Sequence, residues 1–151
     1  MLKTNKSLYD IFLSKKLNLS NKGLKKVPAF DLPNLQVLDL SSNELTEVPV
    51  FNLPKLQTLF LYNNLLEEVP RFDFPDLINL FLSNNKLITV PKFHLPKLQF
   101  LSLYNNKLTS LPEFHLPMIQ ALELYNNNFS SEIKKEIKHK YRRQRLRLDD
   151  E

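Results

Sequence analysis

The chain has no cysteine. Disulfides, thiol nucleophiles and thiolate metal ligands are therefore ruled out. Small secreted domains usually lean on disulfides, so their absence favours a reducing compartment, and a cytoplasmic location is expected. There is one glycine, Gly23, in 151 residues. A lone glycine excludes a glycine-rich phosphate loop and leaves few left-handed turns free of steric cost. No apolar run nears the roughly 18 residues that would span a membrane. Leu8–Leu13 is short and interrupted by Asp10, which argues against a secretory signal. An even spread of charge is missing too. The net charge is +5, but residues 132–148 carry eight Lys/Arg against Glu132 and Glu136 alone. The rest of the chain is nearly balanced.

Apolar residues make up 42% of the chain, enough for a packed core in one domain. The ten prolines are the first sign of order. Pro28, Pro49, Pro70, Pro91 and Pro112 are spaced by 21 residues, and so are Pro33, Pro54, Pro75, Pro96 and Pro117. With so few glycines, the prolines are expected to mark the corners. Phe30, Phe51, Phe72, Phe93 and Phe114 keep the same step, as do Asn43, Asn64, Asn85, Asn106 and Asn127. Within each unit lies the string L-x-x-L-x-L-x-x-N-x-L. It runs from Leu35 to Leu45 and recurs at Leu56–Leu66, Leu77–Leu87 and Leu98–Leu108. At Ile119–Phe129 it returns with Ile and Phe at its ends.

The L-x-L element alternates with period 2, which makes it a strand with one buried face. Twenty-one residues are too few for a strand, a long helix and two turns, and two prolines per unit forbid a helical return segment. The return is expected to be extended or short 3₁₀. One unit cannot close its own core, so the units must stack, with their strands in a parallel sheet about 4.8 Å apart. The Leu, Phe and Asn columns then point inward. A buried asparagine amide without backbone partners would cost a few kcal/mol, roughly.

The repeated string and its period resemble the leucine-rich-repeat family over roughly residues 17–129. The expected fold is thus an α/β-type repeat solenoid, an arc with a parallel sheet on its concave face, a non-helical convex side and short helical caps. The boundaries expected are an N-terminal cap over 1–16, a degraded repeat over 17–29 with Lys22 in place of the asparagine, five repeats over 30–129, a capping helix over 130–148 and an acidic tail over 149–151. Leu8, Ile11 and Phe12 are expected to cover the first unit, with Tyr9 in the phenylalanine column. Ser130 or Ser131 can start the last helix, whose stripe Ile133, Ile137 and Tyr141 covers the final repeat. The compact proline-rich units also look similar to leucine-rich-repeat proteins that intracellular bacteria deliver into host cells. That similarity would place the chain in the bacterial or the host cytoplasm.

In this family the partner usually meets the concave sheet. The position between the strand leucines runs Asn18, Asp39, Phe60, Phe81, Ser102, Glu123. The column before it runs Lys16, Val37, Thr58, Asn79, Phe100, Ala121, and the column after it Ser20, Ser41, Tyr62, Ser83, Tyr104, Tyr125. Nothing in the fold asks for phenylalanine at solvent-facing strand positions. A contiguous aromatic patch marks a binding surface, and such residues are enriched in interface cores. Phe60, Phe81 and Phe100 are therefore the expected anchors, Tyr62, Tyr104 and Tyr125 the adaptable contacts, and Asp39 and Glu123 the charges at the rim. The competing explanation is that aromatics favour strands and stack across them.

The basic run 134–147 provides the alternative, an electrostatic binder of nucleic acid or anionic membrane. A solvated cap explains it more simply, because no aromatic is interleaved for base stacking. His94 and His115 share a column with Asp73, but two histidines make a poor zinc site, and no metal or cofactor is expected. Ser, His and Asp lie along columns instead of gathering in a pocket. A non-catalytic, monomeric module that binds a protein partner is the reading these residues favour. Some bacterial proteins of this family carry a ubiquitin-ligase domain with a catalytic cysteine, for which this chain has neither the residue nor the room.

Overall fold

A computed structural model describes residues 8–149, with side chains from Asp10 onward. Helix α1 (Leu8–Leu13) is followed by strands β1 (Lys16–Asn18), β2 (Val37–Asp39), β3 (Thr58–Phe60), β4 (Asn79–Phe81), β5 (Phe100–Ser102) and β6 (Ala121–Glu123). Then come helix α2 (Ser131–Lys140) and strand β7 (Arg145–Arg147). The seven strands form one parallel sheet in chain order. Register advances by whole repeats, so Leu38, Leu59, Leu80, Leu101 and Leu122 are aligned partners. Each strand is only three residues long because the buried element is only L-x-L. In β2 to β6 the central leucine is buried and its flanks are largely half-exposed, the half-buried strand that period-2 alternation implies; in the end strands β1 and β7 it is only half-buried. The result is the expected solenoid.

The core is one continuous cluster of stacked columns. Phe72, Phe93 and Phe114 stack inside it with ring centroids 5.9 and 5.8 Å apart. No helix forms in the return segments between β1 and β6. Two kinds of corner shape each unit. The chain enters each strand of the regular repeats through a turn with proline at its second position: the N–H of Leu35 donates to the carbonyl of Leu32 across Pro33, 3.1 Å. The bonds from Leu56 to Leu53 and from Leu98 to Leu95 repeat it. Proline suits that position because its φ is preset. It leaves the strand through a left-handed residue, and these are Asn21, Ser42, Asn63, Asn84, Asn105 and Asn126, with φ of 52° to 55°. Prolines therefore mark only half of the corners. Asparagine fills all of these exits but the one at Ser42, because it tolerates φ > 0 better than most residues.

The inner asparagines satisfy the backbone at that exit. The Oδ1 of Asn64 accepts from the N–H of Leu45 at 3.0 Å, while its Nδ2 donates to the carbonyls of Leu40 and Leu61 at 3.0 and 3.1 Å. Asn43, Asn85, Asn106 and Asn127 make equivalent bonds. The degraded first unit lacks an asparagine of its own. There Asn43 reaches back one repeat to the N–H groups of Lys22 and Leu24, both at 3.0 Å.

The ends differ from the expectation in two ways. Ile11 packs on the core, but Phe12 is 46% exposed and covers little. The parts given to the Leu8 and Tyr9 side chains, and the cap residues 1–7, lie outside the described residues. At the other end the helix expected over 130–148 is much shorter. Ser130 caps it by accepting from the N–H of Ile133, and it ends where Tyr141 donates to the carbonyl of Ile137 at 2.9 Å. Ile137 and Tyr141 are buried and Ile133 packs beside them on Leu111, so α2 takes the place of a return segment. The chain then turns back and Arg145-Leu146-Arg147 joins the sheet. The step from β6 to β7 is 24 residues, Ala121 to Arg145, where earlier steps are 21. Period-2 alternation and the unpaired edge of β6 outweigh helix continuation here. Asp149 finishes the edge, its Oδ2 accepting from the N–H of Asn126 at 2.7 Å. In the earlier repeats a carbonyl of the next repeat makes that bond, as Tyr125 does for Asn105.

Candidate functional site

The parallel register brings Phe60 directly beside Phe81 and sets Phe100 one strand further on, in the neighbouring column. The rings of Phe60 and Phe81 stack at 4.8 Å with an interplanar angle of 18°. Phe81 and Phe100 meet tilted at 5.1 Å, and Tyr62 stands edge-on to Phe60 at 6.2 Å. Tyr104 and Tyr125 form a separate stack, 4.6 Å apart and nearly coplanar at 5°. All six rings are half-buried. The expected patch is thus present as two clusters, parted along the tyrosine column by the small, buried Ser83.

The two acids are already engaged. The Oδ1 of Asp39 accepts from the N–H and the hydroxyl of Ser41 at 3.0 and 2.6 Å, closing a local turn. Asn18 does the same for Ser20. The Oε1 of Glu123 lies 3.0 Å from Nη1 of Arg147, and its Oε2 accepts from the Ser102 hydroxyl at 3.1 Å. The Arg147 guanidinium sits 5.3 Å over the Tyr125 ring. Burial raises the Tyr125 phenol above its usual range, and Tyr104 and Glu123 add to the effect while Arg147 opposes it.

Strand β7 also rearranges the basic run. Lys134, Lys135, Lys138 and Lys140 lie on α2, and Arg142 and Arg143 in the turn after it. Arg145 and Arg147 stand on the sheet in register with Ala121 and Glu123, so they extend the two concave columns. The basic residues do not share one helix face. Sequence reasoning missed these two arginines, although the alternation of Arg145-Leu146-Arg147-Leu148 carried the signal. A cleft of about 520 Å³ opens beside Arg147, lined by Tyr125, Lys138, Leu146, Arg147, Leu148 and Asp149.

Asp73, His94 and His115 are all exposed, and among the described residues no three His, Cys, Asp or Glu side chains are gathered to hold a metal. No described helix is long and apolar enough to cross a membrane. Outside the sheet, the large apolar side chains exposed among the described residues are Phe12 and Leu13 at the end of α1 and, in the repeats, Val50, Leu65, Ile88 and Met118, which fall in four different repeat columns and form no stripe.

A family model described as leucine-rich repeats matches residues 15–53, 33–74 and 75–114. The chain belongs to the leucine-rich-repeat family, whose fold generally serves as a non-catalytic scaffold for protein–protein interaction. Among solved structures it is similar to a leucine-rich-repeat protein of Leptospira interrogans, with 36% identity and a TM-score of 0.81 over 87% of this chain and 36% of that one. It is also similar to YopM of Yersinia enterocolitica, at 30% identity and a TM-score of 0.53 over 76% of this chain and 29% of that one. Human trophoblast glycoprotein shares the fold at 22% identity, with a TM-score of 0.55 over 90% of this chain and 69% of that one. The chain therefore spans about a third of the length of the two bacterial proteins. No curated protein matches it.

Proposed function

We propose that the concave face binds a partner protein, with Phe60, Phe81 and Phe100 as anchors and Tyr62, Tyr104 and Tyr125 as surrounding contacts. The observation that carries this reading is the stack of three half-exposed phenylalanines across β3, β4 and β5, on a face where the fold requires no aromatic. Apolar strips of this kind mark interaction sites. A sheet that is already ordered loses little entropy on binding. Asp39 and Glu123 act at the rim mainly by holding their neighbours. The setting proposed is that of a non-catalytic effector delivered by a bacterium into a host cell; it rests on the likeness of the compact proline-rich units to such proteins, and the 36% and 30% identity to two bacterial proteins supports the bacterial origin.

The test is a pull-down with wild-type protein beside a Phe60→Ala/Phe81→Ala variant, at low and high salt. A partner held at high salt and lost in a variant that still folds supports the reading. Partners indifferent to the variant and released by salt would move the function to the basic residues of α2, the electrostatic alternative. If the variant melts, the rings belong to the structural core.

A further inference from the structure

Arg145 and Arg147 have different surroundings. Arg147 is spent within the protein, on Glu123 and on the face of Tyr125. The exposed Arg145 side chain has no hydrogen bond, ion pair or ring contact among the described residues. Its partner across the strand is Ala121. The strands on either side of that alanine place the much larger Phe100 and Arg145 beside it, so the small side chain leaves a notch of about 160 Å³, walled by Phe100, Glu123, Arg145 and Arg147. Phe100 is also the last ring of the phenylalanine stack. The apolar strip thus runs directly into a recess whose far wall is a cation with no counter-ion among the described residues. Glu123 does not fill that role, because Arg147 and Ser102 already hold both of its oxygens.

We propose that this notch is a carboxylate-reading subsite, and that the partner presents an extended segment with an apolar side chain against the phenylalanines and an aspartate or glutamate against Arg145. The proposal rests on the concave-face reading above and adds the partner's chemistry. The span sets the spacing. Strands β5 and β7 are two steps apart, roughly 10 Å, which an extended chain covers in about three residues. The acid should therefore stand two to four residues from the apolar anchor. A guanidinium takes a carboxylate with two parallel hydrogen bonds, and the wall of Phe100 shields that pair from water better than an open surface would. A single-stranded nucleic acid fits less well, since Asp39 lines the same face and the notch beside the phenylalanine stack offers it Arg145 alone, where a run of phosphates needs several cations.

The experiment is selection of a displayed random peptide library on wild-type protein, on Arg145→Glu and on Phe60→Ala/Phe81→Ala, followed by affinity measurement with the labelled wild-type consensus peptide. Circular dichroism and melting establish that each variant folds, and Arg145→Gln serves as a milder second change. The wild-type pool should be enriched in Asp or Glu two to four residues from an apolar residue. The Arg145→Glu pool should keep the apolar residue and exchange the acid for Lys or Arg. The consensus peptide should bind Arg145→Glu at least ten-fold more weakly, and replacing its acid by lysine should restore binding to that variant. An unchanged acid frequency in the Arg145→Glu pool, with the apolar residue retained, would overturn the subsite and leave the concave reading intact. An unchanged pool on Phe60→Ala/Phe81→Ala, or no enrichment on wild type, would overturn both. Tighter binding of a labelled oligothymidine than of any selected peptide would replace the peptide by a nucleic acid.

Discussion

Asn63 and Asn64 are neighbours of one residue type, yet the structure assigns them opposite sensitivities. Replacing Asn64 by alanine strands the buried N–H of Leu45 and removes one of the two amide donors from each of the Leu40 and Leu61 carbonyls, which keep Asn43 and Asn85. A buried polar group left unmade costs about 1–3 kcal/mol and each further lost hydrogen bond about 0.5–1.5 kcal/mol, so one stranded N–H and two lost bonds cost roughly 2–5 kcal/mol. That is a large share of the roughly 5–15 kcal/mol that holds a domain folded. Asn63 is exposed with a φ of 55°, and its amide bonds only to Ser42 and Asn84 at the surface. Asn63→Gly relieves the left-handed strain while loosening the unfolded chain, and its net effect should stay within about 1 kcal/mol. Asn63→Ala keeps the strain without asparagine's tolerance and should cost about 1–2 kcal/mol. Urea denaturation of the three variants measures this directly. The reasoning fails if Asn64→Ala loses less than Asn63→Ala, or if Asn63→Gly is as damaging as Asn64→Ala.

Three further expectations follow the same logic. Leu80→Ala at the centre of the sheet removes a fully buried side chain and should cost about 2–5 kcal/mol, read as a lower denaturation midpoint. Tyr141→Phe should be neutral or stabilising in thermal melts, because the buried Tyr141 hydroxyl has no hydrogen-bond partner among the described residues. Burial raises the Tyr141 phenol, and burial with its neighbours raises that of Tyr125. Both phenols stay protonated in the folded state after the unfolded chain has ionised, so their contribution is intact below the ordinary tyrosine range and is lost as pH rises through it and beyond. Ultraviolet titration should show Tyr125 and Tyr141 ionising late, together with an alkaline fall in stability.

Most of the architecture was legible because the 21-residue step assigns each column one environment. The Leu, Phe and Asn columns repeat only if every unit buries the same positions. What escaped was information carried by exceptions to the repeat. The left-handed exits were masked by the single glycine, since the outer asparagines and Ser42 supply a conformation usually credited to glycine. Strand β7 lay inside a charged run whose net charge spoke louder than its alternation. The placement of the six aromatic residues followed from register alone. Their division into two clusters did not, because it depends on ring rotations. The engagement of Asp39 by Ser41 and of Glu123 by Arg147 depends likewise on side-chain reach and on a strand absent from the expected order.

The central claim is that the partner sits on the concave sheet. Site-specific photo-crosslinking locates it most directly, with a benzophenone side chain placed either at Asn79, which flanks the phenylalanine stack, or at Ile88, which is 57% exposed in a return segment. The account predicts a covalent adduct with the captured partner from position 79 and none from position 88. Adducts from position 88 with none from position 79 would contradict it and place the partner on the opposite side of the solenoid.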